Sequence, residues 1–266
     1  MKVSVKYWRS SIAVVMVGMA LIMSTPMAFA DSINPGVLDI NATLGGKTYG
    51  QWSENWWQRA FSLPDNFTNC TEKQSGQVWF LDGTTGGQAN RFCTVPAGKF
   101  IMFPIFNTEQ SVVEAVAANQ QTHGETTCTI GTTPIRDIHG NLITGTDYDA
   151  LHRCAQAIAE HATLPNASLE AEVDGTTVKN LTHYRAATPP PLFPFTAVEG
   201  NPFGLCPGLG QCPLTSSAAA DGFWIILDHP LSAGEHTIHF LARVPFPELN
   251  FTFKTVVTYH LTVQAG

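Results

Sequence analysis

The alternation of apolar and polar positions predicts a chain built mainly of short strands. In the C-terminal segment Phe251–Val263 the odd positions are mostly apolar and the even positions are mostly polar, which is typical of a strand with one packed and one wetted face. The apolar segments Gly222–Leu227 and His236–Val244 precede it, and we expect the three to form an antiparallel meander. Two nearly continuous apolar runs, Val78–Leu81 and Gly98–Asn107, predict further buried strands.

Other local patterns predict a hairpin and two helices. Alternation on both sides of Asp174-Gly175 indicates a two-residue hairpin turn, because these residue types tolerate the positive φ that the turn requires. Helical periodicity predicts helices at Gly50–Ser62 and Tyr148–Ala162.

The tryptophans of the first predicted helix have two interpretations. Trp52 and Trp56 lie on one stripe of the helix and Trp57 lies on its flank, so this face is too apolar to stay in water. Large aromatic residues mostly pack in cores. We therefore favour a helix anchored to the domain by its tryptophans over an aromatic platform that binds a sugar.

A segment rich in proline and glycine follows the hairpin, from residue 183 to residue 220. We predict a long loop, which in a compact domain is usually functional unless it only covers the domain as a flap. We expect this loop and the tryptophan helix to form a groove. The candidate ligand-binding residues are Trp52, Trp56, Trp57, Tyr184 and Arg185.

These elements together predict a mainly β fold. Short strands, few helices and many turn residues favour an antiparallel β-sandwich of immunoglobulin-like or jelly-roll type. We expect two or three peripheral helices and the long Pro/Gly-rich loop to surround it. Residues 31–266 are enough for one substantial domain, and we expect a single one.

Residues 1–30 have the features of a secretory signal peptide. Basic residues precede an apolar run at Ile12–Met23, and Ala28–Ala30 offers small side chains where a signal peptidase cuts. The run is shorter than the ~20 residues of a spanning helix. We therefore expect cleavage before Asp31, a secreted or periplasmic mature protein, and no membrane insertion.

The cysteines agree with export. All six follow the predicted cleavage site, and an even number in an exported chain predicts disulfides. We prefer pairing between nearest neighbours, since each loop then falls within one locally connected segment. The predicted disulfides are Cys70–Cys93, Cys128–Cys154 and Cys206–Cys212.

Composition and motifs exclude several classes of function. The formal net charge is −7, and removal of the basic leader makes it more negative, so nucleic acid and anionic lipid are poor partners. The chain lacks C-x2-C, H-E-x-x-H and G-x-S-x-G motifs. We predict no metal and no cofactor.

Glu109 is the first candidate for chemistry. The apolar run gives way to polar residues at Asn107, and we predict that Asn107 caps a helix whose capping box is closed by Gln110. Glu109 would then lie in the first turn and face inward, whereas Glu114 would face solvent. We favour a structural cap; an inward carboxylate that acts as acid or base is the alternative.

Asp221 is the second candidate. It begins the segment in which the long loop re-enters the sheet, where Asp-Gly is ordinary turn chemistry. Together with Glu109 it would form a hydrolytic pair of carboxyl groups if the fold brought the two together.

Four segments carry distinctive motifs. They are VWFLDGTTGG, CTVPAGKFIMFPIFN, EVDGTTVKNL with the following Tyr184-Arg185, and DGFWIILDHPLSAGEHTIHF. In these motifs the chain resembles a family of exported bacterial and archaeal proteins with no characterised activity. The resemblance extends over about residues 52–240 and implies one unit with its segments in fixed order. It implies no catalytic residue and no cofactor.

Two functions of different class follow. We favour an exported, disulfide-stabilised domain that binds an unknown extracellular or periplasmic ligand, for example a glycan, or another surface. The alternative is an extracytoplasmic hydrolase, acting for example on glycans, that uses Glu109 with Asp221 or Glu114. Binding is favoured because the catalytic constellation is incomplete.

Overall fold

The computed structural model of the protein describes residues 34, 36–64, 67 and 69–266. The predicted signal peptide and its cleavage site lie outside the described residues. In the described part of the chain, no helix combines the length and the apolar character that crossing a membrane requires.

The described residues form a mainly β fold, as the sequence predicts. The strands are β1 (Val78–Phe80), β2 (Gly87–Val95), β3 (Phe100–Ser111), β4 (Thr129–Ile130), β5 (Thr133–Pro134), β6 (Ser168–Val173), β7 (Thr176–Thr177), β8 (Phe193–Ala197), β9 (Leu214–Ile226), β10 (Gly234–Phe246) and β11 (Phe251–Val263). The helices are α1 (Tyr49–Phe61), α2 (Val112–Gln121), α3 (Tyr148–Glu160) and the single turn α4 (Leu205–Gly208). Short 3-10 helices occur at His161–Thr163, Leu181–Tyr184 and Pro247–Leu249.

The strands of the described residues form two main sheets and one small one. The first has the order β1-β3-β9-β8, the second has the order β2-β11-β10-β6-β7, and β4 pairs with β5. Most strand pairs are antiparallel, as predicted. However, β1 is parallel to β3 and β2 is parallel to β11, so the prediction of antiparallel sheets holds only in part.

The predicted C-terminal meander is also wrong in part. Strands β10 and β11 pair antiparallel along their whole length, but β9 pairs with β3 and β8 in the other sheet. Alternation reports which face of a strand is buried, and it carries no information on which strand lies beside it.

The two main sheets contribute to one hydrophobic core. Phe103 of β3 stacks on Phe240 of β10 with ring centroids 5.3 Å apart. Helix α1 adds its tryptophans to the same core: Trp56 contacts Trp224 of β9 at 5.3 Å between ring centroids, and Trp57 is 3% exposed. The helix starts where predicted because Thr48 caps it and forms a capping box with its third residue.

All three predicted disulfides are present. Cys70–Cys93, Cys128–Cys154 and Cys206–Cys212 have Cα–Cα distances of 6.0, 5.6 and 5.4 Å. The Cys128–Cys154 pair lies in its own small hydrophobic cluster, where it joins the β4 region to α3. The disulfides fit an oxidising extracellular environment.

The hairpin prediction is confirmed, and the loop prediction is not. Asp174 and Gly175 have φ values of 50° and 76°, and they connect β6 to β7. The Pro/Gly-rich segment from residue 183 to 220 is not structureless, because β8 pairs antiparallel with the beginning of β9. The disulfide Cys206–Cys212 lies between these two strands in sequence.

Candidate functional site

A cavity of about 470 Å³ lies between α1, the second half of β3 and the first half of β11. This volume is within the usual range for small-molecule sites. Aromatic side chains form a large part of the wall. The aromatic lining residues are Trp56, Trp57, Phe67, Phe106, Phe203, Phe246, Phe251 and Phe253.

Strand β3 supplies the polar end of the cavity, and here the predicted helix start is wrong. Asn107 and the residues up to Ser111 extend β3, because they pair with Ala218–Gly222 of β9. Ser111 is the residue that caps α2, and Glu114 closes the capping box. The sequence thus contains two possible capping boxes four positions apart, Asn107 with Gln110 and Ser111 with Glu114. Because pairing with β9 keeps Asn107 in the strand, only the second box caps a helix.

Strand alternation directs Asn107 and Glu109 to one face of the sheet. Thr108 and Gln110 face the other side of the sheet. There Gln110 Oε1 lies 3.1 Å from Cys154 Sγ of α3. The β3–β9 register shifts between Pro104 and Phe106, and such a bulge re-aims the side chains that follow it.

Glu109 and Glu114 are neighbours at this end of the cavity. Part of Glu109 reaches the surface, but its Oε2 is enclosed and has no hydrogen-bond partner among the described residues. Burial raises the pKa of Glu109 well above its usual value, and the charge and hydrogen bonding of Glu114 raise it further. These two causes favour the protonated form of Glu109.

Glu114 does not face solvent as predicted. It is half-buried, and its Oε2 accepts a hydrogen bond of 3.0 Å from the Ser111 backbone N–H and another from the Ser111 hydroxyl. The capping box thus holds Glu114 beside Glu109.

Two further polar atoms are enclosed near this end of the cavity. Asn107 Nδ2 and Trp57 Nε1 have no hydrogen-bond partner among the described residues. Thr84 and Thr255 also line the cavity, and their hydroxyl groups form a hydrogen bond of 2.8 Å with each other. Unsatisfied buried donors and acceptors are uncommon in folded proteins, so their concentration in one cavity suggests a polar ligand group.

A buried ionic network fixes the turn that lines the cavity after β1. Arg59 of α1 forms an ion pair with Asp82 at 2.7 Å, with both side chains almost fully buried. Arg91 donates to the Gly83 carbonyl at 2.9 Å, and Tyr259 OH accepts from the Asp82 backbone N–H at 3.0 Å. Burial, followed by the charge of Asp82, raises the pKa of Tyr259 to about 12, so its phenol stays neutral.

The structure does not bring Asp221 to Glu109. Asp221 pairs across the sheet with Thr108, so its side chain is on the face opposite to Glu109. There its carboxylate forms an ion pair with Arg185 at 2.9 Å, and Arg185 also bonds Glu160 of α3. The arrangement is a structural link between β9 and α3.

The candidate ligand-binding residues separate into two groups. Trp56 and Trp57 line the cavity. Trp52 donates from Nε1 to the Leu44 carbonyl at 3.0 Å, and the Tyr184 hydroxyl accepts from Asn34 Nδ2 at 3.1 Å. Neither of these two nor Arg185 lines the cavity, and their ligand-binding role stays a prediction.

The sequence analysis missed Asn107 as a site residue and missed most of the aromatic wall. The sequence pattern placed Phe251 and Phe253 on the apolar parity of the last strand. The structure shows that both line the cavity and that Phe251 is 53% exposed, which the alternation did not indicate.

Gly222 is required for the close approach of β9 to β3 beneath Asn107. A Cβ at this position would lie 2.6 Å from the Asn107 Cα and 2.7 Å from the Phe106 carbonyl oxygen. We expect Gly222→Ala to lower the free energy of unfolding by about 1–3 kcal/mol, because the two backbones must separate. Urea unfolding measures this loss. Gly208→Ala, in open space, is the control and should stay within about 0.5 kcal/mol; an equal effect of both would contradict the role of Gly222.

His236 resembles the histidine of a Ser-His-Asp triad, but its contacts indicate a structural role. Nδ1 bonds Asp174 Oδ2 at 2.7 Å, and Nε2 is 3.3 Å from the Ser232 hydroxyl. However, Nε2 is closer to the Ser232 carbonyl oxygen, at 2.9 Å. A carbonyl can only accept, so Nε2 carries a proton and cannot act as a base for the hydroxyl.

The stability that His236 provides should therefore depend on pH. Burial lowers its pKa, but the hydrogen bonds to Asp174 and to the Ser232 carbonyl outweigh burial and raise it overall. A raised folded-state pKa gives stability that is present below the ordinary value of about 6.5 and is lost as pH rises through the folded value. We expect the Tm difference between the wild type and His236→Gln to shrink from about pH 6 to about pH 9. His139→Gln, at an exposed histidine, should show no such trend.

Among the described residues no group of three or more His, Cys, Asp or Glu side chains is arranged to hold a metal ion. Comparison of the chain with protein-family models, with curated proteins and with solved structures found no match.

Proposed function

We propose that the protein is an exported, disulfide-stabilised domain that binds a small organic ligand in the cavity between α1, β3 and β11. The observation that carries this proposal is the pairing of an aromatic wall with enclosed polar atoms that lack partners, Glu109 Oε2 and Asn107 Nδ2. The wall favours an apolar ligand body, and the polar atoms favour a group that both donates and accepts hydrogen bonds.

A neutral apolar fluorophore, N-phenyl-1-naphthylamine, tests whether the cavity takes up a ligand. We expect a saturable rise in fluorescence with one site per chain. Gly83→Leu should abolish it, because Gly83 lines the cavity and a Cβ there meets only Pro104 Cγ at 3.6 Å, so the larger side chain fills the space without a backbone clash.

Gly208→Leu is the matched control, since Gly208 is exposed and has no atom within 4 Å of its Cβ position. It should bind the probe like the wild type. A wild type without saturable binding, or equal binding by Gly83→Leu, would overturn the proposal. Circular dichroism of both variants shows that they are folded.

The neighbouring carboxyl groups favour a second candidate, a hydrolase in which Glu109 acts as general acid and Glu114 assists. The raised pKa of Glu109 supports this role, because a general acid must hold its proton near neutral pH. Asp221 is not part of this candidate, since Arg185 holds it on the other face of the sheet.

A panel of chromogenic glycosides and esters tests the hydrolase. The expected turnover would be lost in Glu109→Gln and kept in Glu170→Gln, which changes an exposed glutamate of β6. Turnover that survives in Glu109→Gln, or a panel without turnover, would remove this candidate.

The proposal also includes export of the protein, a sandwich arrangement of the two main sheets, and the resemblance to the family of exported proteins. The three disulfides support an oxidising location, and the stacking of Phe103 on Phe240 supports face-to-face packing of the two main sheets as a sandwich. N-terminal sequencing of the protein from its host tests export: we expect the chain to begin at Asp31. An intact leader on the isolated protein would contradict it.

A further inference from the structure

The ionisable groups of the cavity are all acidic. Among the described residues that line it, Glu109 and Glu114 are the ionisable ones, and none is lysine, arginine or histidine. Acidic groups without a basic partner favour a positively charged ligand group and disfavour an anion.

The aromatic wall has the same preference. Trp56 and Trp57 meet edge to face with ring centroids 5.1 Å apart, and Phe203 lies 5.2 Å from Trp57 and 5.9 Å from Phe67 between ring centroids. Where the face of a lining ring is turned to the cavity, its negative charge density attracts an organic cation that has left water.

The enclosed atoms without partners specify the kind of cation. Glu109 Oε2 and Asn107 Nδ2 have no hydrogen-bond partner among the described residues. Glu109 Oε2 is an acceptor once the carboxyl group is ionised, and Asn107 Nδ2 is a donor. An N–H group on the ligand would satisfy the first, which a quaternary ammonium cannot do. An acceptor atom on the ligand would satisfy the second.

We propose that the ligand is a protonated primary or secondary amine carried on an aromatic or alkyl body, with its ammonium group at Glu109 and Glu114. This inference rests on the proposed binding function and names the ligand class for the same cavity. The amine donates to Glu109, and its apolar body lies against the rings of α1 and the neighbouring phenylalanines.

Binding of such a cation should release a proton. In the free protein burial and the neighbouring Glu114 raise the pKa of Glu109 and so favour its protonated form. An ammonium group favours the ionised carboxylate, so Glu109 gives up its proton when the amine enters. The affinity for the amine should therefore rise with pH while the amine remains charged.

Three ligands with the same aromatic body test the inference by isothermal titration calorimetry at about pH 7.5. They are 2-phenylethylamine, the neutral 2-phenylethanol and the anionic 3-phenylpropionate. We expect the amine to bind roughly tenfold more tightly than the alcohol and the anion to bind most weakly. Titration of the amine in phosphate and in Tris should show proton release.

Glu109→Gln should reduce the affinity for the amine to that for the alcohol, and Glu170→Gln should leave the preference unchanged. Preference for the alcohol or the anion over the amine, or binding of the amine without proton release by the wild type, would overturn the inference. The proton count uses the wild type alone, so it does not depend on the folding of a variant.

The two proposals fail in different ways. If 2-phenylethanol binds as well as the amine and Gly83→Leu abolishes both, the cavity is a ligand site and the amine inference is wrong. If none of the three ligands binds and the neutral fluorophore does not bind either, the proposed function is wrong, and the amine inference falls with it.

Discussion

Replacing Arg59 with methionine is expected to lower the free energy of unfolding by about 3–5 kcal/mol. The Arg59 and Asp82 side chains are only 5% and 1% exposed, with Nη1 and Oδ1 at 2.7 Å. Arg59 Nε also donates to the Glu72 carbonyl at 3.1 Å. Methionine keeps the apolar stem but removes the cation that is paired with the buried Asp82 carboxylate.

Equilibrium unfolding in urea measures this effect. Arg243→Met is the matched control, because Arg243 is exposed and its side chain donates to the Asn166 carbonyl at the surface. This variant should lower the free energy of unfolding by less than about 1 kcal/mol. The double variant Arg59→Met with Asp82→Leu should recover part of the loss, since it removes both members of the buried ion pair together. If Arg59→Met costs no more than Arg243→Met, the ion pair does not stabilise the fold.

Removal of the disulfide Cys128–Cys154 by double substitution with alanine is expected to cost about 3–4 kcal/mol. The bond closes a loop with a sequence separation of 26, and cross-links that close longer loops remove more entropy from the unfolded chain. Both cysteines are also buried, so their replacement by alanine removes packing contacts in addition to the cross-link.

The disulfide Cys206–Cys212 is an internal comparison, because its sequence separation is only 6. Its replacement by two alanines should cost about 2 kcal/mol by the same entropy argument. Urea unfolding of both double variants under identical conditions tests the order. A larger loss for the shorter loop would show that loop entropy is not the dominant contribution.

Predictions from local sequence were the successful ones. The hairpin at Asp174-Gly175 follows from backbone conformations that only a few residue types tolerate, and the disulfides join cysteines within short segments. Helix α1 follows from its apolar stripe and from the cap at Thr48. In each case the residues that decide the structure lie close together in the chain.

Predictions that needed a distant partner failed. Asn107 has a good capping sequence, but β9 pairs with Asn107–Ser111 and keeps them in the strand. The apolar pattern of β9 is equally compatible with a place in either main sheet, so it could not predict that β9 pairs with β3 and β8. The cavity depends on this same pairing, since it places Asn107 and Glu109 on the face opposite to Asp221.

The sequence by itself determined the mainly β character, the cysteine pairs and the candidate carboxylate Glu109, because these follow from composition, spacing and local periodicity. Only the tertiary structure decided that Glu114 is the neighbour of Glu109 and that Arg185 neutralises Asp221. The physical reason is that side-chain alternation gives the face of a strand, whereas the neighbour on that face is set by long-range pairing and packing over the whole chain.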